Sequence, residues 1–145
     1  MDRREFAAFL PALVAAVSAL PGEAAPPSLP VVESGVFKPG PPRSGSIPKR
    51  MSQAGTKGIL KAGNIQLEIH ETRQEVGAPH EPEETHLHSE IWLVREGTLE
   101  LTINGVVHRM EAGDIGIVVA GDKHYIQDAG DTPASYFVVA VGPPE

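Results

Sequence analysis

Beyond Lys57 the chain alternates apolar and polar residues at the two-residue period of a β-strand. From Asn64 to Glu71, Ile65, Leu67 and Ile69 share one parity and Gln66, Glu68 and His70 the other, which predicts a half-buried strand. Leu99, Leu101 and Ile103 alternate into Asn104-Gly105, and Val106 and Val107 follow. Two strands joined by a two-residue turn are expected there, because Asn-Gly tolerates the positive φ that such a turn needs at both positions. Further strands are predicted at Ile115 to Ala120, His124 to Asp128 and Ser135 to Val141, separated by Gly, Asp or Pro. Many short strands with tight turns predict an all-β sandwich, barrel or jelly roll.

Two of the segments are apolar on both faces. Ile91 and Leu93 lie opposite Glu90, and Phe137, Val139 and Val141 lie opposite Tyr136, Val138 and Ala140. Strands buried on both faces need a second covering layer. A second subunit or the preceding arm would supply it, and the expectation is a homodimer.

Ahead of these strands the pattern is different. From Pro21 to Pro48 the chain holds eight of its 14 prolines, so neither a helix nor a central strand can be sustained there. Residues 25–56 are expected to be a linker or an extended arm, with Val31-Val32 and Val36-Phe37 as short apolar touches that could lie along a barrel edge or a partner subunit. Residues 1–24 read as an export signal: Arg3-Arg4, then an apolar run from Phe6 to Leu20, then small residues around Gly22-Glu23-Ala24. The adjacent arginines resemble the twin-arginine signal, although Asp2 stands where Ser or Thr is usual. The run is shorter than the roughly 18–20 apolar residues of a spanning helix and contains Pro11, so no permanent membrane span is expected. The mature protein is expected to be exported, periplasmic or extracellular, with residues 57–142 as its one barrel domain.

Composition narrows the partners. A chain of 145 residues suits one domain, and 41% hydrophobic with 21% charged residues is ordinary for a globular protein. A net charge of −7 with no basic stripe argues against nucleic acid. The absence of cysteine excludes disulfides and thiolate sites, so a metal ion would have to sit on nitrogen and oxygen donors.

Such donors are concentrated in one stretch. His80, His86 and His88 lie among Glu81, Glu83, Glu84 and Glu90, with His124 further on. In a regular strand Glu84, His86, His88 and Glu90 would project from one face, which is the convergence a nitrogen and oxygen metal site requires. The competing reading is an acidic, solvated loop with incidental histidines. Trp92 shares the parity of Glu90 and would be either an apolar wall of a substrate pocket or plain core. His70 and His108 read as surface or hairpin residues without a function.

The order of two motifs resembles the cupin family. Its first motif ends in a glutamate followed after six residues by a glycine, as Glu90 to Gly97 (EIWLVREG) does. Its second motif is matched in spacing by Gly113 to Asp128 (GDIGIVVAGDKHYIQD), with Gly113, Gly121 and His124 in place, Val119 at the proline position and Asp128 at the asparagine position. The resemblance spans roughly residues 57 to 142 and implies a double-stranded β-helix, or jelly-roll barrel, with a divalent metal ion. Carried over position by position, it implies His86, Glu90 and His124 as ligands, with Glu84 where another histidine is usual. A shifted register would recruit His88 instead, and His80 is near enough in sequence to compete.

Two imidazoles and one carboxylate suit Fe(II), and also Mn, Ni, Zn or Co. Glu84 is the nearby carboxylate left over for acid and base work, unless it binds the metal ion itself. Two classes of function follow. One is a metal-dependent enzyme, oxygenase- or isomerase-like, such as a dioxygenase-like oxidoreductase, acting on a small oxygen-rich molecule. The other is a non-catalytic module that binds a small molecule or sugar.

Overall fold

The computed structural model describes residues 28–145, so the export segment expected over 1–24 lies outside the described residues. Among the described residues there are nine strands and no helix: β1 (Arg43–Ser44), β2 (Arg50–Leu60), β3 (Ile65–Gln74), β4 (Ser89–Glu96), β5 (Thr98–Ile103), β6 (Val106–Glu111), β7 (Ile115–Val118), β8 (His124–Asp128) and β9 (Ala134–Gly142). They form a six-stranded sheet in the order β1-β2-β3-β9-β4-β7 and a three-stranded sheet in the order β6-β5-β8, antiparallel throughout. The two sheets face each other as a jelly-roll barrel, the double-stranded β-helix expected from the motifs.

Local chemistry explains the joints. Asn104 and Gly105 take φ of 48° and 81°, and Ile103 pairs with Val106 across them, so the predicted hairpin forms between β5 and β6. Gly97 turns the chain from β4 into β5 at φ 79°. A Cβ there would stand 2.7 Å from both Ala134 Cα and the Pro133 carbonyl oxygen, so no other residue fits.

The barrel interior is lined by Trp92 and Val94 from β4, Leu99 and Leu101 from β5, Ile126 from β8, and Tyr136 and Val138 from β9. Ile91, Leu93, Phe137 and Val139 take the opposite parity and face outward, as the two-faced pattern required. Burying one such side chain contributes about 1.5–3 kcal/mol.

Strand β3 inverts its simple reading. Gln66, Thr72 and Gln74 are the buried residues of that strand, while Ile65 is exposed and Leu67 and Ile69 are half-buried on the outer side. Thr72 and Gln74 are tolerated inside because they are paired, whereas Gln66 Oε1 is buried without a partner. Gln74 Nε2 donates to Tyr136 Oη at 2.9 Å, Gln74 Oε1 accepts from Asp128 N at 2.8 Å, and Thr72 Oγ1 lies 3.0 Å from Ser52 Oγ. Alternation reports two faces; it does not say which one the barrel encloses.

The proline-rich segment runs along the barrel edge. Val32 N donates to Ile59 O and Ile59 N to Pro30 O, each at 2.8 Å, and Gly40 N donates to Ala54 O at 2.8 Å. Phe37 adds an aromatic ring to an outer groove shared with Ile69 and Phe137. Strand structure begins ahead of Lys57, with the short β1 and then β2 from Arg50, which brings Arg50 itself into the barrel.

Candidate metal centre

The centre is assembled where the chain ahead of β4 is tied to the start of β8. Glu84 N donates to His124 O and His124 N to Glu84 O, both at 2.9 Å, and Gly121 N donates to His86 O at 2.9 Å. Ala120 N donates to Ser89 Oγ at 3.1 Å. These bonds place Glu84 and His86 against His124 and Glu90, which lie at or near the first residues of β8 and β4.

The single regular face expected for Glu84, His86, His88 and Glu90 does not exist. Strand β4 starts only at Ser89, and the chain bends at Leu87 and His88. The reason is that Glu84 and His86 spend their backbone bonds on residues 121–124 and cannot continue the β4 ladder. Convergence survives by another route. His86, Glu90 and His124 each offer a donor atom within 4.8 Å of the others.

Each residue then has a distinct setting. His124 is 3% exposed; its Nε2 lies 3.0 Å from Glu90 Oε2 and its Nδ1 lies 3.2 Å from the Asp122 carbonyl. With Nδ1–H donated to that carbonyl, Nε2 either carries a proton to Glu90 or offers its lone pair to a cation. His88 joins the same carboxylate from the other side, with Nε2 3.4 Å from Glu90 Oε1. Its ring stacks on His86 at 4.5 Å and 10°. Glu84 is half-exposed, with Oε2 3.4 Å from His86 Nε2. His80 is drawn elsewhere: it stacks on Tyr125 at 4.3 Å, with Nδ1 against the Glu81 carbonyl.

The electrostatics are mutual. Burial alone would raise the Glu90 carboxyl, but the hydrogen bond and charge of His124, with His86 and His88 beside it, hold it below its ordinary range. Burial would lower the His124 imidazole, yet Glu90, the Asp122 carbonyl and the charge of Glu84 raise it. The cluster is a concentrated negative site balanced by imidazoles.

A cavity of about 110 Å³ opens beside it, lined by Glu84, Glu90, Trp92 and His124 together with Arg50, His70 and Glu81. Trp92 is both wall and core: it is 2% exposed, stacks on Tyr136 at 5.8 Å and meets His124 edge-on at 5.9 Å. Its indole Nε1 is buried without a hydrogen-bond partner. His70, expected on the surface, faces this cavity because the polar parity of β3 is the inner one, and burial pushes its imidazole below the ordinary range despite Glu68 and Glu90. His108 is exposed on β6.

Arg50 is the cavity residue that sequence reasoning missed, and Glu81, named in the acidic stretch, was given no role. They form a close ion pair, and Glu81 Oε1 also accepts from Ile126 N at 3.3 Å. The one signal available was Glu81 itself, an acidic residue whose near neighbours in sequence were already of interest.

The donors fit a divalent first-row ion. Two or three imidazole nitrogens with one or two carboxylate oxygens, and no thiolate, match the borderline to hard members of that series.

Comparison with known proteins agrees with the fold. Residues 70–140 match the family model described as "Cupin domain". No curated protein matches the chain. Among solved structures, KdgF from Halomonas sp. is similar at 16% identity and a TM-score of 0.62, covering 78% of this chain and 96% of that one. An RmlC-like cupin from Shewanella frigidimarina has 18% identity and a TM-score of 0.57, covering 75% and 86%. A predicted oxalate decarboxylase from Thermotoga maritima has 17% identity and a TM-score of 0.55, covering 72% and 92%. The matched segment runs from within β3 to within β9 and contains Glu84, His86, His88, Glu90 and His124: residues 70–140 of this chain match a cupin domain.

Proposed function

We propose that His86, Glu90 and His124 hold one divalent transition-metal ion, with His88 as a fourth donor, and that the protein is a metal-dependent enzyme acting on a small oxygen-rich molecule. The observation that carries this reading is the 4.8 Å convergence of the three donors at the wall of a polar cavity. When bound, such an ion would act as a Lewis acid on a ligand oxygen.

The chain's own residues supply the rest. Glu84, half-exposed at the cavity wall, takes or returns a proton at its carboxylate oxygen. Trp92 closes one wall against water and offers an unpaired indole N–H. A cavity of about 110 Å³ limits the ligand to a few heavy atoms unless it reaches outward into solvent. An oxygenase-like or isomerase-like reaction is consistent with this setting.

The second reading, a non-catalytic binding module for a small molecule or sugar, is favoured by the fourth donor. If His88 joins the other three, fewer positions stay open for a substrate. In the same reading the protein is exported through the twin-arginine-like signal and pairs through the outer face of the larger sheet.

The test is metal analysis of the purified protein with a turnover screen. About one divalent ion per chain, lost in His124→Ala, supports the centre, and none after reconstitution removes it. Turnover of small hydroxylated or dicarbonyl compounds that falls in Glu84→Gln while metal content holds supports the enzyme. A loaded protein that admits no azide and turns over nothing is a binding module.

A further inference from the structure

We propose that His86, His88 and Glu145 form a second cation site, at the bend ahead of β4, that takes a divalent ion of the zinc type. It goes beyond the function proposed above and does not depend on it. Neither Glu90 nor His124 is among its donors, and it meets the two imidazoles through Nδ1, the edge turned away from Glu84 and Glu90.

The spacing is that of a ligand set. Each of the three residues offers one donor atom within 4.8 Å of the other two. Glu145 Oε1 lies 3.2 Å from His88 Nδ1, and Oε2 lies 3.6 Å from His86 Nδ1. A tetrahedral zinc ion with nitrogen and oxygen ligands holds neighbouring donors about 3.3–3.6 Å apart. These two separations therefore need little adjustment. The two rings stack at 4.5 Å and 10°, so their lone pairs run side by side, and a tilt of the stack brings both on to one ion.

Three further observations point to an ion rather than to a chance contact. His88 Nδ1 is buried and has no hydrogen-bond partner, a position that an ion would complete. The carboxylate is held in place by the main chain: Glu145 Oε1 accepts from the N–H of Leu87 and, at 3.1 Å, from that of His88. Behind the rings, Glu90 Oε1 lies 3.4 Å from His88 Nε2, and Glu84 Oε2 lies 3.4 Å from His86 Nε2. A carboxylate on the far edge of an imidazole orients it as a ligand and raises its basicity. Two imidazoles and one carboxylate suit Zn(II), Ni(II) or Co(II) better than Mg(II) or Ca(II). Glu145 is exposed and water would take the fourth position, so this site is the weaker one and fills after the inner centre.

The test is Zn(II) titration of the chelator-treated protein, read by competition with a chromophoric chelator. The wild type should take up about two ions per chain in two steps. Glu145→Ala should lose the weaker step, and so should Glu145→Gln, which keeps an oxygen for the bend. His124→Ala should lose the tighter step and still take up one ion, which disappears when Glu145→Ala is added. Circular dichroism shows whether each variant is folded. Quenching of Trp92 by Co(II) should persist in Glu145→Ala, because the inner centre is intact. A wild type that stops at one ion and is unchanged by both Glu145 substitutions would overturn the proposal. A single ion lost in Glu145→Ala but kept in His124→Ala would support this site and overturn the reading of the inner centre.

Discussion

Glu84 and His124 exchange two backbone hydrogen bonds of 2.9 Å, so the residue proposed to move protons is fastened by its main chain to a proposed ligand. Main-chain and side-chain roles can therefore be separated. Glu84→Gln keeps both bonds and should leave metal content and melting temperature unchanged, while any turnover falls about 100-fold or more. Glu84→Pro deletes one donor and should cost about 1–3 kcal/mol and lower metal content. Thermal melts with metal analysis decide it; full metal occupancy in the proline variant would show that the bridge does not hold the site.

Trp92 is the chain's one tryptophan, with its ring 5.9 Å from that of His124. Its emission should be strongly quenched when Co(II) binds and little changed by Zn(II), with a stoichiometry near one. Equal response to both ions would place the binding elsewhere. Trp92→Ala removes a buried ring stacked on Tyr136 and should cost about 3–5 kcal/mol in urea unfolding followed by circular dichroism.

Asp128 gives a pH dependence independent of the centre. Burial raises its carboxyl above the ordinary range, and the charge of Glu75 adds to this, while N–H groups of Gly77 and Gly130 only partly offset them. Oδ1 has no partner. A folded-state value above the unfolded one means that the folded protein binds the proton more tightly. The carboxylate is therefore neutral in its effect at pH below about 3.8 and destabilising above its folded value. Asp128→Asn should melt higher than the wild type at pH 7, and the difference should vanish as pH falls towards 3. An unchanged difference across that range would exclude the carboxylate as its cause.

Ile69, Val139, Ile91 and Ile117 lie side by side across β3, β9, β4 and β7 on the outer face, with Ile117 58% exposed. A contiguous apolar row of this kind is the surface expected to meet a second subunit. Light scattering at micromolar concentration should give twice the chain mass for the wild type and the chain mass for Ile117→Glu. A monomeric wild type would rule the pairing out.

Local signals were the legible ones. Asn104-Gly105 specifies its hairpin with two residues, and the spacing from Glu90 to Gly97 and from Gly113 to His124 locates the first residues of β4 and β8. The ligand candidates were readable for the same reason. Arg50 was not, because its ion pair is with Glu81, remote in sequence, and nothing near it marks it out. The bend at Leu87 and His88 was also hidden. It depends on hydrogen bonds from residues 121–124 and on Glu145, so no pattern within residues 84–90 could announce it.

The inverted faces of β3 bear on the order in which the protein folds. Sliding that strand by one position would turn Ile65, Leu67 and Ile69 inward, an arrangement that the apolar pattern alone favours. The competitor is disfavoured by partners that arrive late: Tyr136 on β9 and Asp128 on β8, both bonded to Gln74. The hairpin of β2 and β3 therefore lacks a settled register on its own and acquires one when the C-terminal strands dock. A slow-folding or misregistered population should grow when Gln74 is replaced by leucine, which erases the distinction between the two alignments.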